Sequence, residues 1–230
     1  TDVVLHEKTG KCYSGPIGDV PKGTEPASGE FDDRSQYILR QKAAIYGTVA
    51  DVASGAYEIG LRVTVTDRDM AVFTITSGGT PDGYGVLPAG VGKTATIVTG
   101  ANTTIKSFGA KGDGVTDDTG AIQALVDTVW NAGGGVVYAP RGTYLVTATI
   151  DIFKGTAKRI QLKGVGIGAT KFITSLGIVV FQHAEFTTFI DFSVEQTGAI
   201  RTGRAFSTPT SKQAAYCIYE RINATKFKFG

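Results

Sequence analysis

The stretch that decides the fold runs from Ile105 to Val146 and reads IKSFGAKGDGVTDDTGAIQALVDTVWNAGGGVVYAPRGTYLV. Its first residues, Ile105–Phe108, predict a short strand, and a glycine-rich loop follows. Thr116 is a good helix N-cap, and Asp117 and Asp118 fall in the first turn, where the helix dipole favours carboxylates. The stretch therefore predicts a strand, a loop and a capped helix in succession.

The predicted helix, over about residues 116–131, has one wide apolar face. The apolar residues recur at helical spacing: Ala121, Ile122, Leu125, Val129 and Trp130. Three glycines at 133–135 end the helix. For Asp117 and Asp118 we favour a capping role over a catalytic one, and Asp113, between two glycines, is interpreted as a turn residue.

Beyond residue 135 short apolar segments alternate with glycine, threonine and serine, and no second helical pattern appears. We predict strands at 136–138, 144–150, 159–162, 171–173, 178–181, 188–194, 216–222 and 225–229. Such spacing is typical of a barrel, a sandwich or a solenoid. Because the open apolar end of a solenoid needs a cap, the amphipathic helix before the first strand favours a solenoid.

The run GVGIG at Gly164–Gly168 is similar to a dinucleotide-binding motif. A predicted strand precedes it, but no helical pattern and no ribose-binding acid about 20 residues further on support such a site. We interpret the run as a turn between two strands, and no cofactor is expected.

Upstream of the deciding stretch the chain divides into smaller units. Val3–Leu5 and Cys12–Tyr13 predict two short strands, and three prolines space out the segment up to residue 30. Phe31–Tyr46 predicts a short helix. This helix is interpreted either as a connection or as a helix that packs on symmetry mates around an axis.

Thr48–Val98 predicts a β-rich module, with strands over 57–65 and 71–75 and glycine-rich turns between them. Within it, the run VGKT at 91–94 is similar to part of a phosphate-binding loop. That loop needs a glycine five residues before Gly92, and residue 87 is leucine, so we reject a nucleotide site. Residues 100–104 predict a linker.

Composition excludes several classes of partner. The formal net charge is +2 and no polybasic run occurs, so neither nucleic acid nor an anionic membrane surface is an expected partner. No apolar run approaches the ~18 residues of a membrane span, and no signal peptide is present. Cys12 and Cys217 are far apart, and His6 and His183 are scattered. We therefore expect two thiols rather than a disulfide, and no metal site.

These motifs resemble a known superfamily. The segments KSFGAKGDGVTDDTGAIQ, GGGVVYAPRGTYLV and IQLKGVGIGAT, within residues 105–170, resemble the start of a right-handed parallel β-helix of the pectate-lyase-like superfamily. CIYERINA at 217–224 resembles a later coil. TVAD at 48–51 and IGLRV at 59–63 resemble the small module that precedes the β-helix in bacteriophage tailspikes. LHEKTG at 5–10 and PKGTEP at 21–26 are similar to the virion-proximal anchoring segment of those proteins.

The resemblance implies a mainly β chain with four parts. They are an anchoring segment over 1–30, a connecting helix over 31–47, a small β-rich module over 48–100, and the start of a right-handed parallel β-helix over 101–230 that includes the capping helix. It also implies that the natural protein continues well past Gly230.

Tailspikes are homotrimers on the virion, and their β-helix binds and usually cleaves bacterial surface polysaccharide. The resemblance thus implies a homotrimer that docks on phage tail or baseplate proteins, or on another spike, through residues 1–47. It implies capsular or O-antigen polysaccharide as the glycan, and a virion location after assembly in the host cytoplasm. A secreted bacterial pectate-lyase-like lyase or hydrolase, and a β-helical adhesin without enzymatic activity, stay open as alternatives.

The chemistry expected from the resemblance is hydrolysis or elimination, and the sequence assigns no catalytic residue to either. Hydrolysis needs two carboxylates ~5 to 9 Å apart, and elimination needs a base near a uronate proton. Asp191, Glu195 and Glu220 are the acids of the coil region that could point outward, and we interpret each as a solvated residue on a strand face. The catalytic residues are expected beyond Gly230, and residues 1–230 alone are expected to be inactive.

Overall fold

A computed structural model of the chain describes residues 3–5, 12–14, 45–100, 103–154, 158–183, 185–198, 202–208 and 216–227. At its start, β1 (Val3–Leu5) pairs antiparallel with β2 (Cys12–Ser14), which confirms the two strands predicted there. The helix predicted over 31–46 lies outside the described residues up to position 44. The prediction is wrong for the last two residues of this helix, because Ile45–Gly47 form a strand that pairs with residues 63–65.

The first core lies in a five-stranded sheet. Its strands are β3 (Ile45–Gly47), β4 (Arg62–Val65), β5 (Ala71–Ser77), β6 (Val86–Pro88) and β7 (Lys93–Ile97), in the order β3-β4-β5-β7-β6. The β-rich module predicted from the pattern is thus present. The run VGKT contributes to β7 and to the turn before it, and it is not a phosphate-binding loop.

A short helix that the pattern did not predict, α1 (Val49–Ser54), packs Val52 into this core. Thr48 and Asp51 begin it with a capping box: the Thr48 hydroxyl accepts from the Asp51 amide, while the Asp51 carboxylate accepts from the Thr48 amide. The strand predicted over 57–65 starts only at Arg62, because the chain turns where the Leu61 amide donates to the Glu58 carbonyl.

From residue 113 onward parallel strands stack in successive coils. They are β8 (Asp113–Asp117), β9 (Gly135–Tyr138), β10 (Gly142–Leu145), β11 (Ile150–Asp151), β12 (Ile160–Lys163), β13 (Thr170–Thr174), β14 (Val179–Gln182), β15 (Thr187–Gln196), β16 (Arg204–Ser207) and β17 (Ile218–Thr225). All of their pairings are parallel. This arrangement confirms the mainly β, parallel β-helix fold.

Each coil contributes one strand segment to each of three faces. Strands β9 and β12 and the first halves of β15 and β17 form the first face. The second face consists of β8, β10, β13 and the second halves of β15 and β17, and the third of β11, β14 and β16. Strands β15 and β17 pass from the first face to the second at Asp191 and Arg221, whose φ angles of 63° and 49° turn the chain.

Buried aromatic rings stack inside the coils. The ring centroid of Phe172 lies 5.5 Å from Tyr144, 5.1 Å from Phe181 and 5.2 Å from Phe192, and all four side chains are fully buried. Burial of each such ring contributes about 1.5–3 kcal/mol, and each well-oriented ring pair adds about 0.5–1.5 kcal/mol. Stacking coil on coil therefore supplies the core that no single coil has.

The helix α2 (Thr119–Asn131) closes the start of this core. Ala121, Ile122, Leu125 and Val126 of α2 are buried in the same apolar cluster as the first coils. The amphipathic helix predicted from the pattern is present and covers the first coil, but it begins later than predicted. Asp113–Asp117 pair with β10 as strand β8, so Asp118, and not Thr116, is the N-cap residue.

Several other predicted strands need correction. Ile105–Phe108 is a turn, because the Thr104 hydroxyl accepts from the Lys106 and Ser107 amides and bends the chain. The strand predicted over 144–150 is two strands, β10 and β11, on different faces. Strand β16 was not predicted. One continuous strand, β17, covers most of the strand predicted over 216–222 and the first residue of the one predicted over 225–229, whose last two residues lie outside the described part of the chain.

The two cores meet at the junction between the sheet module and the β-helix. Ile97 packs against both apolar clusters, and the Thr104 hydroxyl donates to the Asp69 carboxylate over 2.9 Å. Of the helices described here, none has the length and apolar character needed to cross a membrane.

Candidate functional site

The carboxylates of the three aspartates before α2 accept hydrogen bonds from nearby backbone amides and hydroxyl groups. Asp118 is only 1% exposed, and its carboxylate accepts the backbone amides of Lys111 at 2.6 Å and Gly112 at 3.1 Å. Burial raises the pKa of this carboxyl group, against the effect of the two amide donors. Its oxygens bind the amides of the loop, and its raised pKa follows from burial.

Asp113 and Asp117 are bound in a similar way. Asp113 accepts the amides of Val115 and Thr116 and the Thr116 hydroxyl, and these donors lower its pKa to about 2. Asp117 accepts from the amide and hydroxyl of Thr119, the first residue of α2. It also accepts from the hydroxyl of Thr147, in the loop after β10. Asp113 therefore orders the turn within β8 and Asp117 the start of α2, and neither is arranged as a catalytic acid.

The three coil acids considered in the sequence, Asp191, Glu195 and Glu220, form ion pairs. Arg221 donates to Asp191 over 2.5 and 3.0 Å and also to Glu220, while Glu195 accepts from Lys226 at 2.6 Å and from Lys171 at 3.4 Å. Hydrogen bonds from Arg221 and from Lys226 lower the pKa values of Asp191 and Glu195 respectively. Asp191 and Glu195 are bound to cations of neighbouring coils, whereas Glu220 is bound to Arg221, its neighbour in β17; the prediction of solvated residues on strand faces did not include these partners.

One histidine lies inside the solenoid. His183 is 1% exposed; its Nε2 is 2.6 Å from the Tyr219 hydroxyl, and its Nδ1 is 3.6 Å from Cys217 Sγ. Burial raises the pKa of Tyr219 to about 12. The contacts satisfy polar atoms in an aromatic interior. Within the described ranges, no three His, Cys, Asp or Glu side chains come together as a metal site.

A groove of about 540 Å³ runs across the first face of the β-helix. The glycine run 133–135 lines it in the first coil, and Arg159, Phe186 and Tyr216 are among the residues that line it in the later coils. The rings of Phe186 and Tyr216 are parallel, with centroids 5.3 Å apart, and the guanidinium carbon of Arg159 lies 5.8 Å from the Phe186 ring centroid.

The coil register explains why these side chains meet. Ile160 pairs with Gly135 on one side and with Thr187 on the other, so the preceding residues, Gly134, Arg159 and Phe186, lie one above another. Tyr216 holds the same position in the next coil, because Thr188 pairs with Ile218. The four residues form one ladder at the edge of the first face, with one residue from each coil.

Sequence reasoning missed this groove. Its residues are separated by about a coil of chain each, and none belongs to a recognisable motif. The signal that could have found them is their shared place, one or two residues before the first strand of each coil, and that place is visible only once the coil boundaries are known. The structure does not bring Asp113, Asp117 or Asp118 into this groove.

Comparisons with known proteins agree with the fold. The model of the rhamnogalacturonase A/epimerase, pectate lyase-like family matches residues 102–188, which is less than half of the chain. Alginate lyase 7 from Azotobacter vinelandii is 46% identical over 69 residues, which make up 29% of this chain and 8% of that protein. The chain thus spans less than a tenth of the length of this relative.

Solved structures with the same fold include tailspike-like proteins. WceF from Pantoea stewartii, a glycan biofilm modifying enzyme with a tailspike-like parallel β-helix, superposes with a TM-score of 0.61 at 16% identity, over 80% of this chain and 30% of that one. Tailspike gp49 of Acinetobacter baumannii bacteriophage Fri1, a capsular polysaccharide depolymerase, gives 0.54 at 15% identity, over 81% and 39%. At these identities the likeness shows the fold, a tailspike-like parallel β-helix.

Proposed function

We propose that this chain is the N-terminal part of a bacteriophage tailspike, which attaches to the virion and carries a β-helix that binds and depolymerises bacterial surface polysaccharide. The observation that carries the proposal is the order of units: a small separate sheet module, a capping helix and then parallel coils. Superposition of four fifths of the chain on a tailspike and on a tailspike-like enzyme supports it.

The proposed roles follow the chain. Residues 1–30 anchor the spike and residues 31–47 connect, so that residues 1–47 dock on phage tail or baseplate proteins or on another spike. Residues 48–100 form the intermediate module, and residues 101–230 begin the glycan-binding β-helix. The protein is a homotrimer, assembles in the host bacterial cytoplasm and works on the virion. Its glycan is a capsular or O-antigen polysaccharide.

We assign no catalytic acid to the described part of the chain. Of its coil acids, Asp191, Glu195 and Glu220 are each engaged by an arginine or a lysine, and a glycosidase needs one carboxyl group that stays protonated as general acid. A cation that is hydrogen-bonded to a carboxyl group lowers the pKa of that group, because it favours the charged carboxylate. Residues 1–230 by themselves are therefore expected to bind without turnover.

The attachment and the assembly are tested together. Light scattering of the purified chain after size exclusion should give a trimer, and a monomer at micromolar concentration would contradict the trimer. The chain should bind purified tail particles that lack spikes, and a version without residues 1–47 should not. Equal binding by both versions would rule out the docking role.

A secreted bacterial lyase or hydrolase is the second candidate, and the 46% identity to alginate lyase 7 favours it. An enzyme of this kind has no docking partner on a phage tail, so the tail-binding assay separates the two candidates. For the full-length protein, reducing ends report hydrolysis, and ultraviolet absorbance of an unsaturated product reports elimination. A full-length protein that binds glycan and gives neither signal would be an adhesin.

A further inference from the structure

We infer that the groove on the first face is a binding subsite for an acidic saccharide, in which Phe186 and Tyr216 hold a sugar ring and Arg159 binds its carboxylate. The inference rests on the proposed function, because it names the glycan chemistry that this part of the β-helix takes. It concerns binding alone, since no catalytic carboxylate lines the groove.

The aromatic residues are not explained by the backbone they occupy. Phe186 and Tyr216 both have left-handed φ angles, 61° and 58°, which bulky residues adopt at a cost and which glycine or asparagine adopts readily. The turn itself therefore gives no reason for aromatic side chains at these places. Residues held in such conformations cluster at ligand-binding sites, and here two lie in consecutive coils on one groove wall.

Core packing does not explain Tyr216 either. Neither Tyr216 nor Phe186 belongs to the apolar cluster that fills the coils. A flat ring with an apolar face and a polar hydroxyl suits the surface of a pyranose, which has an apolar face of C–H groups and a rim of hydroxyls. Two parallel rings 5.3 Å apart offer a continuous apolar surface to such a sugar.

Arg159 supplies the charge selectivity. It lies over the Phe186 ring, and in the described part of the chain no acidic side chain forms an ion pair with it, whereas Arg221 is held by Asp191 and Glu220. The guanidinium group presents a planar pair of donors that matches a carboxylate. The neighbouring Lys158 is bound elsewhere, because its Nζ donates to the Trp130 carbonyl at 2.7 Å and lies over the Trp130 ring, so the positive charge of the groove is that of Arg159.

The remaining walls suit a sugar that lies along the coils. Val136, Gln161, Thr188 and Ile218 form the outer ladder of the first face. Gln161 and Thr188 are polar groups that can bond to hydroxyls. Glycines 133–135 bring no side chains into the groove, and its volume of about 540 Å³ is that of a small-ligand site.

The test uses calorimetric titration of the full chain with tetrasaccharides. The acidic probes are mannuronate and galacturonate oligomers, and the neutral probe is a cello-oligomer. We expect the acidic probes to bind and the neutral probe to bind at least about 10-fold more weakly. Arg159→Gln should remove this preference, and Tyr216→Ala should weaken every probe about 10-fold, which corresponds to about 1.4 kcal/mol.

The controls are matched in kind and lie on the sheet module: Arg62→Gln for the arginine and Tyr46→Ala for the exposed tyrosine. Both should bind like the wild type, and circular dichroism should show all four variants folded. Acidic binding that survives both groove variants would overturn the subsite and leave the proposed function standing. A wild type that binds no acidic probe would also overturn the subsite. So would concentration-dependent self-association that Tyr216→Ala abolishes, because a second copy of the chain would then cover the groove. The proposed function is tested separately, by the tail-binding assay, so its failure there is distinguishable from failure of the subsite.

Discussion

Gly134 lies where the first coil passes beneath the second. Its φ angle is +116°, and a Cβ atom there would be 2.6 Å from the carbonyl oxygen of Arg159. Gly133 has a similar φ of +101°, but a Cβ atom on it would meet open space. Of these two adjacent glycines, one therefore serves the turn alone, and the other serves both the turn and the contact between coils.

Replacing Gly134 with alanine should destabilise the protein more than the same change at Gly133. Each substitution forces a side chain into a strained backbone conformation, at about 1–3 kcal/mol. Gly134→Ala adds a clash with backbone that cannot move aside, so we expect at least about 1 kcal/mol more. Urea unfolding of the two variants measures the difference. Equal losses would show that the coils tolerate a Cβ atom at this contact.

Asp113 makes a pH-dependent contribution to stability. Its folded pKa, about 2, lies below the ordinary 3.8, so the carboxylate stabilises the fold above the ordinary value, and this stabilisation is lost as the pH falls towards about 2. Wild type should exceed Asp113→Asn in free energy of unfolding at neutral pH, and the difference should shrink across this window. The opposite shift of Asp118 comes first from burial, which both proteins share, and the Asp113 charge adds to it only in the wild type. A difference that stays constant with pH would contradict the prediction.

At the scale of elements, α2 illustrates what hydrophobic spacing reveals. The apolar stripe identified the helix and its role as a cover, because one apolar face of a helix must be buried. The N-cap was predicted at Thr116 instead of Asp118, since threonine and aspartate share the same local preference for the cap position. The parallel pairing of Asp113–Asp117 with β10 decided the matter, and that pairing joins residues far apart in the chain.

Leu125→Ala should test the covering role of α2. Leu125 is fully buried between the helix and the first coil, so the truncation leaves a cavity, at about 2–5 kcal/mol. Asn131→Ala, an exposed change in the last turn of the same helix, should stay within about 0.5 kcal/mol. Chemical denaturation followed by circular dichroism compares the two. A small loss for Leu125→Ala would mean that the solenoid core does not depend on its cover.

At the scale of the whole molecule, the sheet module and the β-helix share a junction. Gly85 of the module is buried against Phe108, which belongs to the apolar cluster of the β-helix. Ile97 contacts both cores. The two units are therefore expected to lose stability together when this junction is disturbed.

Gly85→Ala should lower the stability of both units. A Cβ atom at Gly85 would lie 2.8 Å from Phe108 Cε1, and such overpacking costs about 1–3 kcal/mol. Fluorescence of Trp130, in α2, reports the β-helix, while circular dichroism reports both units. The two signals should shift to the same lower midpoint. Gly100→Ala, where a Cβ atom meets nothing, is the matched control and should leave the midpoint unchanged. A shift in only one signal would show that the units unfold separately.

By itself the sequence predicted a solenoid with a helical cover, and its resemblance to the pectate-lyase-like superfamily implied the parallel β-helix. Strand periodicity, glycine placement and the amphipathic stripe are local, and so they could be read within windows of about ten residues. The candidate groove was decided by the tertiary structure alone. Arg159, Phe186 and Tyr216 become neighbours only when the coils stack in one register, and that register follows from buried rings and backbone pairing between distant segments. The same stacking, and not the local sequence, decided that Asp191 and Glu195 are partners of cations in adjoining coils.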